Sequence, residues 1–183
     1  MLRKAAALVF GAMVLGGSAL AFEGDRKDLQ VLNDVSKTVN RYVYFTIFDD
    51  VTAAVKDGVV TLTGKVTMPF KRDDIAKRVA SVDGVRQVRD EIGVLPVSHF
   101  DDQLRYRIAR SIYGNANFSN YGLGPNPSIH IVVDHGRVIL TGVVNSEADR
   151  MLAQSIATHH FGVMSVTNQL KTPTEIREAL ERS

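Results

Sequence analysis

The chain carries two gapless copies of one pattern, and that repeat constrains its fold more than any other feature. Val51-Thr52-Ala53-Ala54-Val55-Lys56-Asp57-Gly58-Val59-Val60-Thr61-Leu62-Thr63-Gly64-Lys65-Val66 aligns with Ile129-His130-Ile131-Val132-Val133-Asp134-His135-Gly136-Arg137-Val138-Ile139-Leu140-Thr141-Gly142-Val143-Val144, each position 78 residues from its counterpart. The same spacing relates Gly84-Val85 and Val88 to Gly162-Val163 and Val166, and Ile92 to Leu170. A duplication of that extent implies a small module formed twice along the chain.

Each copy opens with helical periodicity, at Leu32, Val35, Val39 and Val43 in the first and at Leu104, Ile108 and Ile112 in the second. Alternation with period two follows at Val51, Ala53 and Val55, and at Ile129, Ile131 and Val133, which predicts that His130 faces outward. Asp57-Gly58 and His135-Gly136 stand where a two-residue hairpin turn needs positive φ, and the second arms end on Gly64 and Gly142. A second helix is predicted over Ile75, Val79 and Val82 in one copy and over Leu152, Ala153 and Ile156 in the other, punctuated by Gly84 and Gly162. A last strand covers 85–94 or 163–170. Gly58, Gly64, Gly84, Gly136, Gly142 and Gly162 are therefore the signature of the fold. The predicted class is α+β: two tandem α-β-β-α-β modules, residues 28–96 and 99–172, each a three-stranded mixed sheet with two helices on one face.

Ahead of the first copy, Arg3 and Lys4 precede an apolar run of 11 residues from Ala5 to Leu15, then Gly16-Gly17-Ser18 and Ala19-Leu20-Ala21. That order predicts a secretory signal peptide over residues 1–21, cut after Ala21. Such a run rises only ~16 Å against ~30 Å of hydrocarbon, so no integral membrane span is expected after cleavage. The chain has no cysteine, which excludes a lipidated N-terminal Cys and any disulfide. The expected location is the soluble periplasm, and the protein is not expected to be a lipoprotein. Of 22 basic and 20 acidic residues, Arg3 and Lys4 leave with the signal and no acid does, so the two signs balance at 20 each. A nucleic-acid partner, which needs a basic excess to displace counterions from phosphates, is excluded on that balance.

Copy two holds the run Asp134-His135-Gly136-Arg137-Val138-Ile139-Leu140-Thr141-Gly142-Val143-Val144 and, after the second helix, Gly162-Val163-Met164-Ser165-Val166-Thr167-Asn168-Gln169-Leu170. This pattern resembles the BON family (bacterial OsmY and nodulation domain) over roughly residues 28 to 172. Copy one departs at Asp90, where copy two has Asn168. Two such modules behind a signal peptide are similar to periplasmic osmotic-shock proteins and to dual-module outer-membrane lipoproteins, and without a cysteine only to the soluble ones. The resemblance implies association with phospholipid membrane surfaces in envelope maintenance or stress. Its alternative implication is a protein-binding, chaperone-like or structural module for envelope proteins.

Nothing in the sequence assembles a catalytic group. There is no cysteine and no Gly-x-Ser-x-Gly elbow. The acid pairs Asp49-Asp50, Asp73-Asp74 and Asp101-Asp102 are adjacent in sequence, so they point apart, and the last two suit helix N-termini. No enzyme activity and no cofactor are expected. The five histidines, including His159-His160 and the pair His130 and His135, lack zinc-ligand spacing and read as surface residues, so no metal is expected either.

Two candidate binding regions remain. Lys71, Arg72 and Arg78 lie on the second helix of copy one, where Lys71 and Arg78 flank Ile75 on the wheel. Such a cationic rim could grip anionic head groups. The reading favoured by spacing is a solvated face in which Asp73 pairs with Lys77 and Asp74 with Arg78. In copy two, residues 114–128 have turn composition and predict a segment without regular structure, with Phe118, Tyr121 and Leu123 as its apolar members. It is either a binding loop or a cover over the core. Last, Thr172-Pro173-Thr174-Glu175 is a capping box, predicting a short helix over 173–183 whose Ile176 and Leu180 form a narrow stripe. That helix docks on the second module or binds a partner.

Overall fold

A computed structural model describes residues 7–9, 23–123 and 127–181. They fall into two compact units, one of residues 7–9, 23–45 and 51–94, the other of 46–50, 95–123 and 127–181. The expected leader lies outside the described residues except for 7–9.

The first unit contains β1 (Ala7–Val9), α1 (Glu23–Asn40), β2 (Asp50–Lys56), β3 (Val59–Val66), α2 (Pro69–Ala80) and β4 (Gln87–Val94). The second contains α3 (His99–Tyr113), a 3-10 helix (Ala116–Gly122), β5 (Ile129–Asp134), β6 (Arg137–Gly142), α4 (Glu147–Thr158), β7 (Ser165–Asn168) and α5 (Pro173–Glu181). The sheets run β1-β2-β3-β4 and β5-β6-β7. Each copy is thus the expected α-β-β-α-β module with a mixed three-stranded sheet, and β1 is an addition that the periodicity did not announce. The parallel pairing repeats at the spacing of the sequence repeat: Val60 faces Val88 and Val138 faces Val166. The backbone repeats with it. Positive φ occurs at Asp57 and His135, and at the six signature glycines. At Gly142 a Cβ would lie 1.9 Å from the Ser128 carbonyl oxygen at φ +110°, so only glycine fits.

In each unit one face of the sheet and both helices share a core. Leu32, Val35 and Val39 of α1 meet Val51 and Ala53 of β2, Val60 and Leu62 of β3, and Ile75 and Val79 of α2. Val43 does not join them: it is 81 % exposed, because α1 stops at Asn40 and the following turn sends Tyr42 and Phe45 inward instead. In the second unit Leu104, Ile108 and Ile112 meet Ile129, Ile131 and Leu140. There α4 buries the small residues Ala153 and Ala157, while Leu152 and Ile156 are only partly covered.

One device joins helix and hairpin in both copies. The Asp28 carboxylate accepts from the Asp57 and Gly58 amides at 2.8 and 3.1 Å, and the Asp101 carboxylate from those of His135 and Gly136 at 2.8 and 2.9 Å. Two charge-assisted bonds hold a turn whose positive φ would otherwise leave its amides open. Asp101 is accordingly buried, and the α3 cap is Ser98, whose hydroxyl accepts from the Asp101 amide. Asp101 and Asp102 stand in the first turn of α3, as expected, whereas Asp73 and Asp74 do not lie in that of α2, which starts at Pro69 and has no acid there. The capping box of α5 forms: Glu175 Oε2 accepts from the Thr172 amide at 2.8 Å and Thr172 Oγ1 from the Glu175 amide at 3.3 Å. An Arg150–Glu175 pair at 2.9 Å ties α5 to α4 within the second unit. The side chain of Leu180 lies outside the described residues.

Candidate functional site

The start of α2 separates the three cations of the expected rim. Lys71 is buried and donates to Thr67 Oγ1 at 2.7 Å. Arg72 holds Asp73 at 3.0 Å and approaches Asp90 at 3.8 Å. The Arg78 guanidinium lies 5.0 Å from the centre of the Tyr42 ring, a cation–π contact. The acids are engaged differently from the helical pairing read in the sequence: Asp73 takes Arg72, and Asp74 accepts the Tyr42 hydroxyl at 2.8 Å. Burial, and next the Asp74 carboxylate, push the Tyr42 phenol far above its ordinary range. Arg72 and Arg78 therefore remain at the surface, next to exposed Met68 and the edge-to-face pair Tyr44 and Phe70 at 5.7 Å.

Residues 116–122 are helical, contrary to the expectation of an irregular loop. Asn115 starts the turn by accepting from the Asn117 amide. Phe118 and Tyr121 lie inside the second core with their rings tilted and 5.5 Å apart, and Leu123 is 74 % exposed. Tyr121 repeats the chemistry of Tyr42, donating to Asp149 at 2.7 Å while accepting from the Asn145 amide. The two rings are thus occupied as a cover.

A third surface escaped the sequence reading. Phe100 packs its ring against Gly162, where a Cβ would come within 2.4 Å of it, and Met164 lies against Gly136. Phe161 precedes Gly162 in the chain, and its carbonyl accepts from Arg107. Phe100, Phe161 and Met164 are exposed by 48, 85 and 77 %. At the corresponding places copy one has Lys27, Asp83 and Arg86, all exposed. Comparing the copies for lost charge, instead of for shared apolar residues, is the signal that would have found it.

The second unit also encloses a polar centre. His130 is buried because Thr46–Asp50 covers the outer face of β5, which corrects the outward placement expected from strand alternation. Its Nδ1 lies 2.6 Å from the Asp49 carbonyl oxygen and must carry the proton, since a carbonyl only accepts. Thr141 donates to Asp50 at 3.0 Å, and the Ile131 amide to the Ile47 carbonyl at 2.7 Å. Burial lowers the His130 pKa below the ordinary 6.5 and raises that of the Asp50 carboxyl. Among the described residues no group of three or more His, Cys, Asp or Glu side chains could hold a metal ion. No helix among them is long and apolar enough to cross a membrane.

No curated protein matches the chain. Among solved structures it is similar to two of CdsD, a structural protein of the type III secretion system of Chlamydia trachomatis, both at 12 % identity and a TM-score of 0.28. The C-terminal domain of that protein matches over 79 % of this chain and 98 % of its own, the second structure over 83 % and 97 %. The BON domain model matches twice, at residues 30–96 and 101–174, once on each module. BON domains are envelope-associated and in general non-catalytic binding domains. With both modules matched in tandem, the chain belongs to the BON-domain family.

Proposed function

We propose that this is an exported, periplasmic and non-enzymatic protein whose second module associates with anionic phospholipid surfaces in envelope maintenance or stress. The observation that supports it is the Phe100, Phe161 and Met164 cluster, three large apolar side chains exposed together where the sister copy has charges. Arg107, bonded to the Phe161 carbonyl, and Arg137, beside the hairpin turn, supply cations at its rim. Rings that enter the acyl boundary and cations that meet phosphates are the two contributions an interfacial protein uses. The test is co-sedimentation with phosphatidylglycerol-containing and with phosphatidylcholine vesicles as salt rises from ~0.05 to ~0.5 M. Binding is expected to anionic vesicles and to weaken with salt. Phe100→Lys, Phe161→Asp and Met164→Arg together install the residues of copy one and add one net positive charge. Loss of binding by about tenfold or more in that variant, at unchanged melting temperature, is expected if apolar insertion carries affinity. Undiminished binding would overturn the assignment. The alternative, a module that binds envelope proteins, draws support from the sheet edge of the first unit.

A further inference from the structure

Both copies receive backbone from outside their own hairpin at the same strand position. In copy two the Ile131 amide of β5 bonds to Ile47. In copy one the residue 78 positions earlier is Ala53 of β2, and it stands opposite Leu8 in the antiparallel β1–β2 pairing, flanked by Ala54 opposite Ala7 and Thr52 opposite Val9. The outer edge of this hairpin is a strand acceptor twice over. The two edges differ in how they are closed. That of β5 is sealed by His130 on the Asp49 carbonyl, by Thr141 on Asp50, and by Ile47 and Phe48 packed on the core. In copy one Thr52 and Thr63 occupy the His130 and Thr141 positions. The segment paired with β2 lies within residues 1–21, the stretch with the order of a cleavable leader. Val51-Thr52-Ala53-Ala54-Val55 carries none of the charged residues, prolines or bulges with which edge strands resist pairing, and its charges sit only at Asp50 and Lys56.

We infer that removal of the leader frees the β2 edge to take an extended, uncharged apolar segment of another polypeptide, added antiparallel to Thr52–Ala54 as Ala7–Val9 is. Backbone bonds supply affinity in such strand addition, and the small outward side chains Thr52 and Ala54 let the incoming strand approach. This goes beyond the lipid reading and shares with it only the leader's removal.

The experiment uses the protein recovered from the periplasm, its N-terminus read by mass spectrometry, and a synthetic peptide of residues 5–12, which has no charged side chain, at saturating concentration. A mass starting at Phe22 is expected, and retention of residues 1–21 overturns the inference. With peptide added, hydrogen exchange at Val51–Val55 should slow by about tenfold while Ile129–Val133 is unchanged. A peptide bearing Leu8→Pro, which removes one backbone donor, should give no slowing. Ala54→Lys and Thr52→Lys each place a charge on the outward face. Either one, at unchanged melting temperature, should abolish the peptide effect. Absence of protection, or protection that survives both lysine variants, overturns it. Vesicle binding is read separately, so the two proposals fail independently.

Discussion

The two copies share strand register, turn geometry and a buried tyrosine, yet the side chains they show at their ends differ. At the hairpin end, copy one shows Lys27, Asp83 and Arg86 and copy two shows Phe100, Phe161 and Met164. At the other end, where the first helix stops and the second begins, copy one exposes Tyr44, Met68 and Phe70. Copy two has Leu123, Ser146 and Ala148 there. A core tolerates few changes because every buried side chain fills a defined volume, whereas exposed positions cost little whatever occupies them. Duplication therefore preserves the module and frees its ends to diverge.

The sharpest way to break this separation of core from surface is the turn that precedes β5. Phe118→Ala should destabilise the second unit by ~3–5 kcal/mol, since the ring is wholly buried, while Leu123→Ala five residues away should change stability by less than ~0.5 kcal/mol. Urea unfolding followed by circular dichroism measures both. Similar costs at the two sites would dissolve the contrast between cover and surface.

A pH titration separates the units next. His130 in the folded state resists protonation below its ordinary 6.5, while the unfolded imidazole takes the proton up. The unfolded state then binds more protons, so stability of the second unit falls as pH drops below 6.5. Asp50, whose pKa burial raises above 3.8, acts in the opposite sense further down, because the folded state takes its proton first. Melting of the wild type should decline between pH ~7.5 and ~5.5, and His130→Gln should flatten that decline. An unchanged slope in the variant would remove His130 as its source. The first unit has Thr52 at this position and should not contribute.

The smallest effect is expected at Asp90, where copy two has Asn168, whose Nδ2 also donates to the Arg150 carbonyl at 2.9 Å. Asp90 Oδ1 accepts from the Ile92 amide at 3.0 Å, and Asn168 Oδ1 accepts from the Leu170 amide at 3.2 Å. Asp90→Asn keeps that acceptor and loses only a partly exposed 3.8 Å approach to Arg72, so stability should change by less than ~0.5 kcal/mol. A cost above ~1 kcal/mol would show that the Arg72 pair does more than its geometry indicates.

The module was legible because its evidence is local and repeated. Strand alternation at Val51, Ala53 and Val55, the turn at Asp57-Gly58 and the stop at Gly84 each depend on a few neighbouring residues, and the second copy confirms each independently. The candidate sites were less legible. Lys71 and Arg72 are neighbours in sequence and look alike there, but Lys71 turns inward to Thr67 and Arg72 stays at the surface, a choice made by packing around the start of α2. His130 read as outward because alternation describes only the two faces of one sheet and says nothing of what covers the second face. Its cover comes from Thr46–Asp50, more than seventy residues earlier in the chain.

Period, turn residues and caps are short-range properties, and these, repeated in a second copy, made two α-β-β-α-β modules and the capped helix at Pro173–Glu181 legible in the sequence. Packing of distant elements is what makes Asp101 hold a hairpin turn, Phe118 fill a core, and Phe100 and Met164 lie over Gly162 and Gly136. Those outcomes join residues tens of positions apart, and such contacts form only where the whole chain has already brought its elements together.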